Sequence, residues 1–168
     1  MEFSELITRR HSVRTYLSDK VEPEKRNAIL EAGRIAPTAA NLQPIKVLVV
    51  EEETNLVKLG KAANIYGAPL AFIVCADHTT AWQRPFDQKK TTDIDASIIT
   101  DHMMLQAEEL CLGSVWICYF KPDVLKTEFN IPDNLEVINI LAVGYSGETK
   151  SPDKIRKGME QFAFFEHL

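Results

Sequence analysis

Three short, dense apolar runs constrain this chain more than anything else in it: 45–50 (IKVLVV), 70–76 (LAFIVCA) and 137–143 (VINILAV). Each is rich in β-branched residues and bounded by turn formers, so each reads as a buried strand. A fourth strand is predicted over 115–119 (VWICY). Helical patterns fall between them. Phe3, Leu6 and Ile7 sit at helical spacing and predict a short first helix ending near Arg10. Pro23 suits the first position of a second helix, whose apolar face is Ile29, Ala32 and Ala36 and which Pro37 stops. Leu56 and Leu59 mark a third helix, and Pro122–Phe129 a later one, ended by Asn130 and Pro132. Four strands with interleaved helices give a mixed α/β architecture; pattern alone does not give strand order.

The longest helix begins near Thr92, where Thr92 and Asp95 have capping-box spacing and Asp93 competes as the cap. It is expected to run to about Leu112, with Gly113 just past its end. Its first half is apolar on more than one side (Ile94, Ile98, Ile99, Met103, Met104, Leu105), as expected for a helix buried in a core or in a subunit interface. After Ser146 the chain is polar, then aromatic at Phe162, Phe164 and Phe165. Such a tail is expected to pack on its own body or to wrap a second subunit.

At 168 residues the chain fits one domain, 1–168, and needs no disulfide or metal to complete a core. No apolar run approaches the roughly 20 residues of a membrane helix, and no secretory h-region opens the chain. Three cysteines without CxxC spacing point to a reducing cytoplasm, with Cys75 and Cys111 expected as small core residues. The net charge of −5 argues against a nucleic-acid surface. There is no GxGxxG, Walker loop or GxSxG, and His11, His78, His102 and His167 make no metal spacing, so no metal is expected. His102 reads as structural or interfacial. A chain without these machines can still be an enzyme if a bound cofactor carries the reactivity.

Two features point to such a cofactor. Arg10, His11, Ser12 and Arg14 follow the first helix, and arginine forks suit phosphate oxygens. A second basic cluster, Lys154, Arg156 and Lys157, lies near the end of the chain. The segment 37–44 (PTAANLQP) brackets small residues and two amides between prolines. Its backbone can approach a flat ring, and Asn41 and Gln43 can donate and accept at a heterocycle edge.

With RRHSVR followed by PTAANLQP in that order, the sequence resembles the nitroreductase family of flavoproteins. The resemblance continues through 110–117 (LCLGSVWI), 142–145 (AVGY) and 156–160 (RKGME), with Cys111, Gly158 and Met159 as departures. It covers nearly the whole chain and is weakest over 78–92. It implies an α+β fold, a three-layer α/β/α sandwich with a mainly antiparallel central sheet, in a domain-interlocked homodimer with 150–168 as an arm on the partner. It implies FMN at the dimer interface and NAD(P)H as transient co-substrate. Arg10, His11, Ser12 and Arg14, with Lys154 and Arg156, would hold the phosphate and ribityl end. Pro37, Thr38, Ala39 and Asn41 of the other subunit would line the flavin, with Gln43 near the ring. Ile117, Cys118 and Tyr119 would offer backbone N–H groups to flavin N5 and O4; Cys118 and Tyr119 depart from the family, so the backbone role alone carries over. Asn64 would lie near the ring. The implied activity is ping-pong hydride transfer from NAD(P)H to a small acceptor such as a nitroaromatic or quinone, with no catalytic side chain. Dehalogenation, ene reduction, flavin fragmentation and non-catalytic flavin binding are the alternatives. The loop 78–92, with Trp82, Arg84 and Phe86, would cover the acceptor side or serve as an anchored surface loop.

Overall fold

The structure, a computed structural model, describes residues 2–149 and 152–167. Its elements run α1 (Phe3–Arg9), α2 (Pro23–Arg34), β1 (Ile45–Val50), α3 (Glu53–Ala62), β2 (Leu70–Asp77), α4 (Thr92–Glu109), β3 (Gly113–Ile117), α5 (Pro122–Phe129) and β4 (Leu135–Gly144). The four strands form one sheet in the order β1-β2-β4-β3, with every pair antiparallel.

Side chains alternate across the sheet, and each face meets its own pair of helices. Ala71, Ile73, Cys75, Ile140 and Ala142 pack with Leu59 of α3 and Leu125 of α5. Leu70, Phe72, Leu141 and Val143 pack with Ile29 of α2 and with Ile99 and Met103 of α4. Burying a side chain such as Phe72 or Leu141 contributes about 1.5–3 kcal/mol, so apolar residues on both faces of β2 and β4 demand two helical layers. That is why these antiparallel strands read as unbroken apolar runs. The α+β, three-layer expectation therefore holds for the chain.

Helices α2 and α4 approach closely because residue 33 is glycine; a Cβ there would stand 2.8 Å from Met103 Cγ. Along α4, Ala96, Ile99, Met103 and Ala107 face inward at three- and four-residue spacing, while Ile94 is half exposed. His102 is exposed, with Nδ1 against the Ile98 carbonyl within its own helix.

Five local expectations need correction. β1 is an edge strand rather than a buried one: Lys46 and Leu48 are exposed beyond the reach of α3 and α5, and a charged edge residue guards against sheet extension. α4 ends at Glu109, and Cys111 takes the left-handed turn (φ 60°) expected further on. Its N–H bonds the Glu108 carbonyl while the Leu112 N–H bonds the Ala107 carbonyl. Cys111 is therefore exposed, whereas Cys75 is buried as expected. Gly113 instead opens β3, which begins and ends two residues earlier than the apolar pattern suggests; a Cβ at 113 would lie 2.7 Å from Val13 Cγ2. The Thr92–Asp95 capping box does not form, because Thr91 is the cap residue and Asp95 is turned to another task.

Candidate functional site

The segment after α1 is held at both ends by the sheet. Ser12 bridges Ser114 in parallel, with the Val13 N–H donating to the Ser114 carbonyl at 2.9 Å. Further on, Tyr16 bridges Ser146, the Leu17 N–H reaches Tyr145 and the Gly147 N–H reaches Thr15, both at 2.9 Å. The Tyr16 hydroxyl donates to the Ala142 carbonyl at 3.2 Å. Burial first, then the Glu148 charge, pushes that phenol well above its usual range, so it stays a neutral donor. Residues 10–14 thus run rigidly along the outer edge of β3.

Against them lies the chain after β4. A cleft of about 200 Å³ is lined by Arg10, Ser12, Arg14, Lys154 and Arg156, with His11, Pro152 and Asp153. The two basic clusters, some 140 residues apart in sequence, are brought to one place. Lys154 donates to the Ile7 carbonyl at 2.7 Å. Partial desolvation, then the charges of Arg10 and Arg156, hold its ammonium below the usual lysine range, with Glu108 opposing. Like charges gathered this way favour an anion between them. Arg9 is turned aside, pairing with Glu108 at 3.4 Å. The Arg14 guanidinium lies 5.9 Å from the Tyr66 ring centroid, near the limit of cation–π contact.

His11 lines the cleft, yet both ring nitrogens face protein oxygens: Nε2 is 3.2 Å from Glu148 Oε2 and Nδ1 is 3.2 Å from the Arg9 carbonyl. Glu148 also accepts the Arg14 N–H at 2.7 Å. Nothing local in the sequence singles out Glu148, because its partners lie more than 130 residues away.

The proline-bounded loop has the backbone of a functional segment. Ala40, Asn41 and Gln43 all have positive φ (50°, 54° and 51°), which side-chain-bearing residues rarely adopt. Thr38 ties it from within, its hydroxyl accepting the Gln43 N–H at 3.0 Å. Asp95, 1% exposed in the first turn of α4, ties it from outside: Oδ1 accepts the Ala39 N–H at 2.9 Å and Oδ2 the Thr91 hydroxyl at 3.0 Å. The sequence reading misses this role, taking Asp95 for the capping-box partner of Thr92. Thr38 and Gln43 line a separate open groove of about 510 Å³ with Leu30, Ala36, Ile45 and Ile99. The groove and the basic cleft share no lining residue. Within one chain, Pro37, Thr38, Ala39, Asn41 and Gln43 are not brought to the basic cleft.

Ile117 is buried at the end of β3, while Cys118 and Tyr119 are exposed just past it. Asn64 is exposed and caps a turn through Tyr66. The 78–92 loop is ordered by its own contacts, Arg84 with Asp87 and Gln83 with Gln88, and leaves Phe86 95% exposed. The first part of the tail packs on its own body, with Lys154 bonded to the Ile7 carbonyl, while Ile155, Phe162 and Phe165 stand 79–89% exposed. Of the expected 150–168 arm, Lys150, Ser151 and Leu168 lie outside the described residues. Among the described residues no helix is long and apolar enough to cross a membrane, and no group of side chains is suited to a metal.

A three-layer sandwich whose sheet edge carries a four-cation cleft defines an α+β protein built to hold an anionic ligand. The sequence matches the nitroreductase family over residues 7–64 and 51–145, and the chain belongs to that family of oxidoreductases. It is similar to a nitroreductase family protein from Clostridium difficile 630, at 52% identity and a TM-score of 0.97 over 100% of both chains. It is also similar to an FMN-dependent nitroreductase from Clostridium difficile R20291, at 28% identity and a TM-score of 0.83, covering 97% of this chain and 98% of that one. A relative from Archaeoglobus fulgidus, provisionally named an NADH dehydrogenase/NAD(P)H nitroreductase, is 29% identical over 93% of this chain and 97% of its own length.

Proposed function

We propose that this chain is an FMN-dependent oxidoreductase that takes hydride from NAD(P)H and gives it to a small organic acceptor, such as a nitroaromatic or a quinone, working as a homodimer. The observation that carries this reading is the convergence of Arg10, Ser12 and Arg14 with Lys154 and Arg156 on one cleft. The donor set fits a terminal phosphate: guanidinium forks, an ammonium and a hydroxyl around a space of about 200 Å³. The names of two relatives, one for FMN and one for NAD(P)H, support the cofactor and the reductant.

Bound flavin would supply the hydride relay, taking hydride from one substrate and passing it to the next. The chain's own residues would bind and orient. Arg10, Ser12, Arg14, Lys154 and Arg156 would hold the phosphate and so orient the rest of the cofactor. Pro37, Thr38, Ala39, Asn41 and Gln43 of the partner subunit would line the ring end. Their strained backbone is preorganised by Asp95 rather than by the ligand. The backbone at Ile117, Cys118 and Tyr119 would offer N–H donors to the edge of the ring, stabilising the charge of its reduced form. No side chain needs to act as acid or base. One pocket serving both substrates in turn gives ping-pong kinetics.

The test is an absorbance spectrum of the purified protein before and after anaerobic NADH, then NADPH. Flavin bands that bleach with either reductant, and return with a quinone or nitroaromatic, support the proposal. A colourless protein that does not retain added FMN overturns it. Bound flavin that neither nucleotide reduces removes the reductant from it.

A further inference from the structure

Glu148 has no place in the binding set above, yet it makes the shortest contact to the segment that carries it. Its Oε1 accepts the Arg14 backbone N–H at 2.7 Å, and its Oε2 lies 3.2 Å from His11 Nε2. Its own N–H is held by the Ser146 hydroxyl at 3.1 Å, and the Gly147 N–H bonds the Thr15 carbonyl at 2.9 Å. The side chain is 22% exposed and that of His11 17% exposed, so the His11 contact is partly shielded from water, while the Arg14 contact lies at the surface. A carboxylate accepts and never donates, so it takes Nε2–H from the ring.

We infer that Glu148 is the positioning residue of the phosphate cleft. By capturing the Arg14 N–H and the His11 ring, it locks the 10–14 segment to the 146–148 turn. Arg10, Ser12 and Arg14 then line the same cleft as Lys154 and Arg156. The inference rests on the proposed FMN reading and deepens it by dividing the donors. The Arg14 backbone N–H and His11 belong to the protein's own carboxylate, Lys154, Arg14 and Arg156 each give one N–H to a backbone carbonyl, and their remaining N–H groups, with Arg10 and the Ser12 hydroxyl, are left for the ligand. His11 therefore acts through Glu148 rather than on the phosphate. Two effects of the carboxylate compete. Its charge repels a phosphate, but that repulsion is screened at a cleft open to water. Its hydrogen bonds fix the loop, and this effect prevails.

The experiment compares the dissociation constants of FMN and riboflavin for the apoprotein by flavin fluorescence, since the two ligands differ by the phosphate alone. Glu148→Ala weakens FMN about tenfold or more while riboflavin changes less than about twofold, the size expected for losing a charge-assisted contact. Glu148→Gln keeps FMN near its wild-type affinity, because the amide oxygen can accept the Arg14 N–H and its NH₂ can serve the other His11 tautomer. Equal losses of both ligands in Glu148→Ala, or no loss of either, overturn the inference. So does tighter FMN binding in either variant, which would make the carboxylate a repeller. If Glu148→Ala does not fold, His11→Ala removes one of the two contacts and carries the same comparison. Arg156→Ala is the separate control. If it leaves the FMN-to-riboflavin ratio at the wild-type value, the cleft is not the phosphate site, and the functional reading fails whatever Glu148 does.

Discussion

At the scale of single residues, neighbouring cations of one kind have different tasks. Arg9 and Arg14 belong to the same short basic stretch, but Arg9 is spent on Glu108 while Arg14 lines the cleft. Arg14→Ala is expected to weaken FMN binding roughly tenfold to a hundredfold, matching the 1.5–3 kcal/mol of a charged hydrogen bond, while Arg9→Ala changes it less than about threefold. Fluorescence titration of the two apoprotein variants checks this, and equal losses would remove Arg14 from the phosphate. A second residue-scale expectation concerns alkaline stability. Burial pushes the Cys75 thiol up to about 11 from an ordinary value of 9.0. Folding therefore favours the neutral thiol. Its contribution is whole below pH 9.0 and is lost as pH rises towards about 11, where the unfolded chain ionises first. Cys75→Val should keep the neutral-pH stability within about 1.5 kcal/mol and flatten that limb of the melting-temperature profile. An unchanged limb in the variant would assign it elsewhere.

At the scale of elements, the loop between α2 and β1 is held in an unfavourable conformation by a residue of α4. Left-handed backbone at Ala40, Asn41 and Gln43 costs on the order of 1–3 kcal/mol per residue, so the loop needs outside support. Asp95→Ala leaves the Ala39 N–H without its partner and should cost about 1–3 kcal/mol in urea denaturation, with protease nicking concentrated at 38–43. Asp95→Asn, which keeps the acceptor, should lose less than half of that. Equal losses would mean that charge rather than hydrogen bonding supports the loop. The limits of the sequence reading lie at this same scale. β1, the β2 core and α5 were legible because period and composition are local. The edge position of β1 was not, since it depends on which helices reach each strand. The end of α4 was misplaced because Gly113 looks like a terminator, whereas its missing Cβ makes room for Val13. The candidate site was legible as two basic clusters and one loop. Asp95 and Glu148 were hidden, because a carboxylate that bonds across 56 or 134 residues leaves no periodic trace.

At the scale of the whole molecule, the tail carries two features that a lone chain does not reconcile. Lys154 and Arg156 fold back on the N-terminal segment, yet the residues after them keep large apolar side chains in water, Phe162 at 79% and Phe165 at 89%. A further apolar face, with Ile35 65% exposed and Leu42 49%, flanks the strained loop. Exposed apolar surface at this density is costly, and burying one such aromatic against a second copy would contribute about 1.5–3 kcal/mol. The proposed homodimer, with the arm crossing to the partner, would account for both features. It would also account for a basic cleft and a strained loop that do not meet within one chain. The expectation is that removing residues 150–168 shifts the protein from dimer to monomer in sedimentation velocity and abolishes the preference for FMN over riboflavin. The double variant Lys154→Ala, Arg156→Ala, with the arm intact, should lose that preference and remain dimeric. These outcomes would separate two proposed functions of the arm: charge that selects the phosphate, and apolar area that holds the partner. A truncated chain that stays dimeric would place the interface on α4 and its exposed Ile94 instead. A double variant that dissociates would tie the basic cleft to assembly rather than to the ligand.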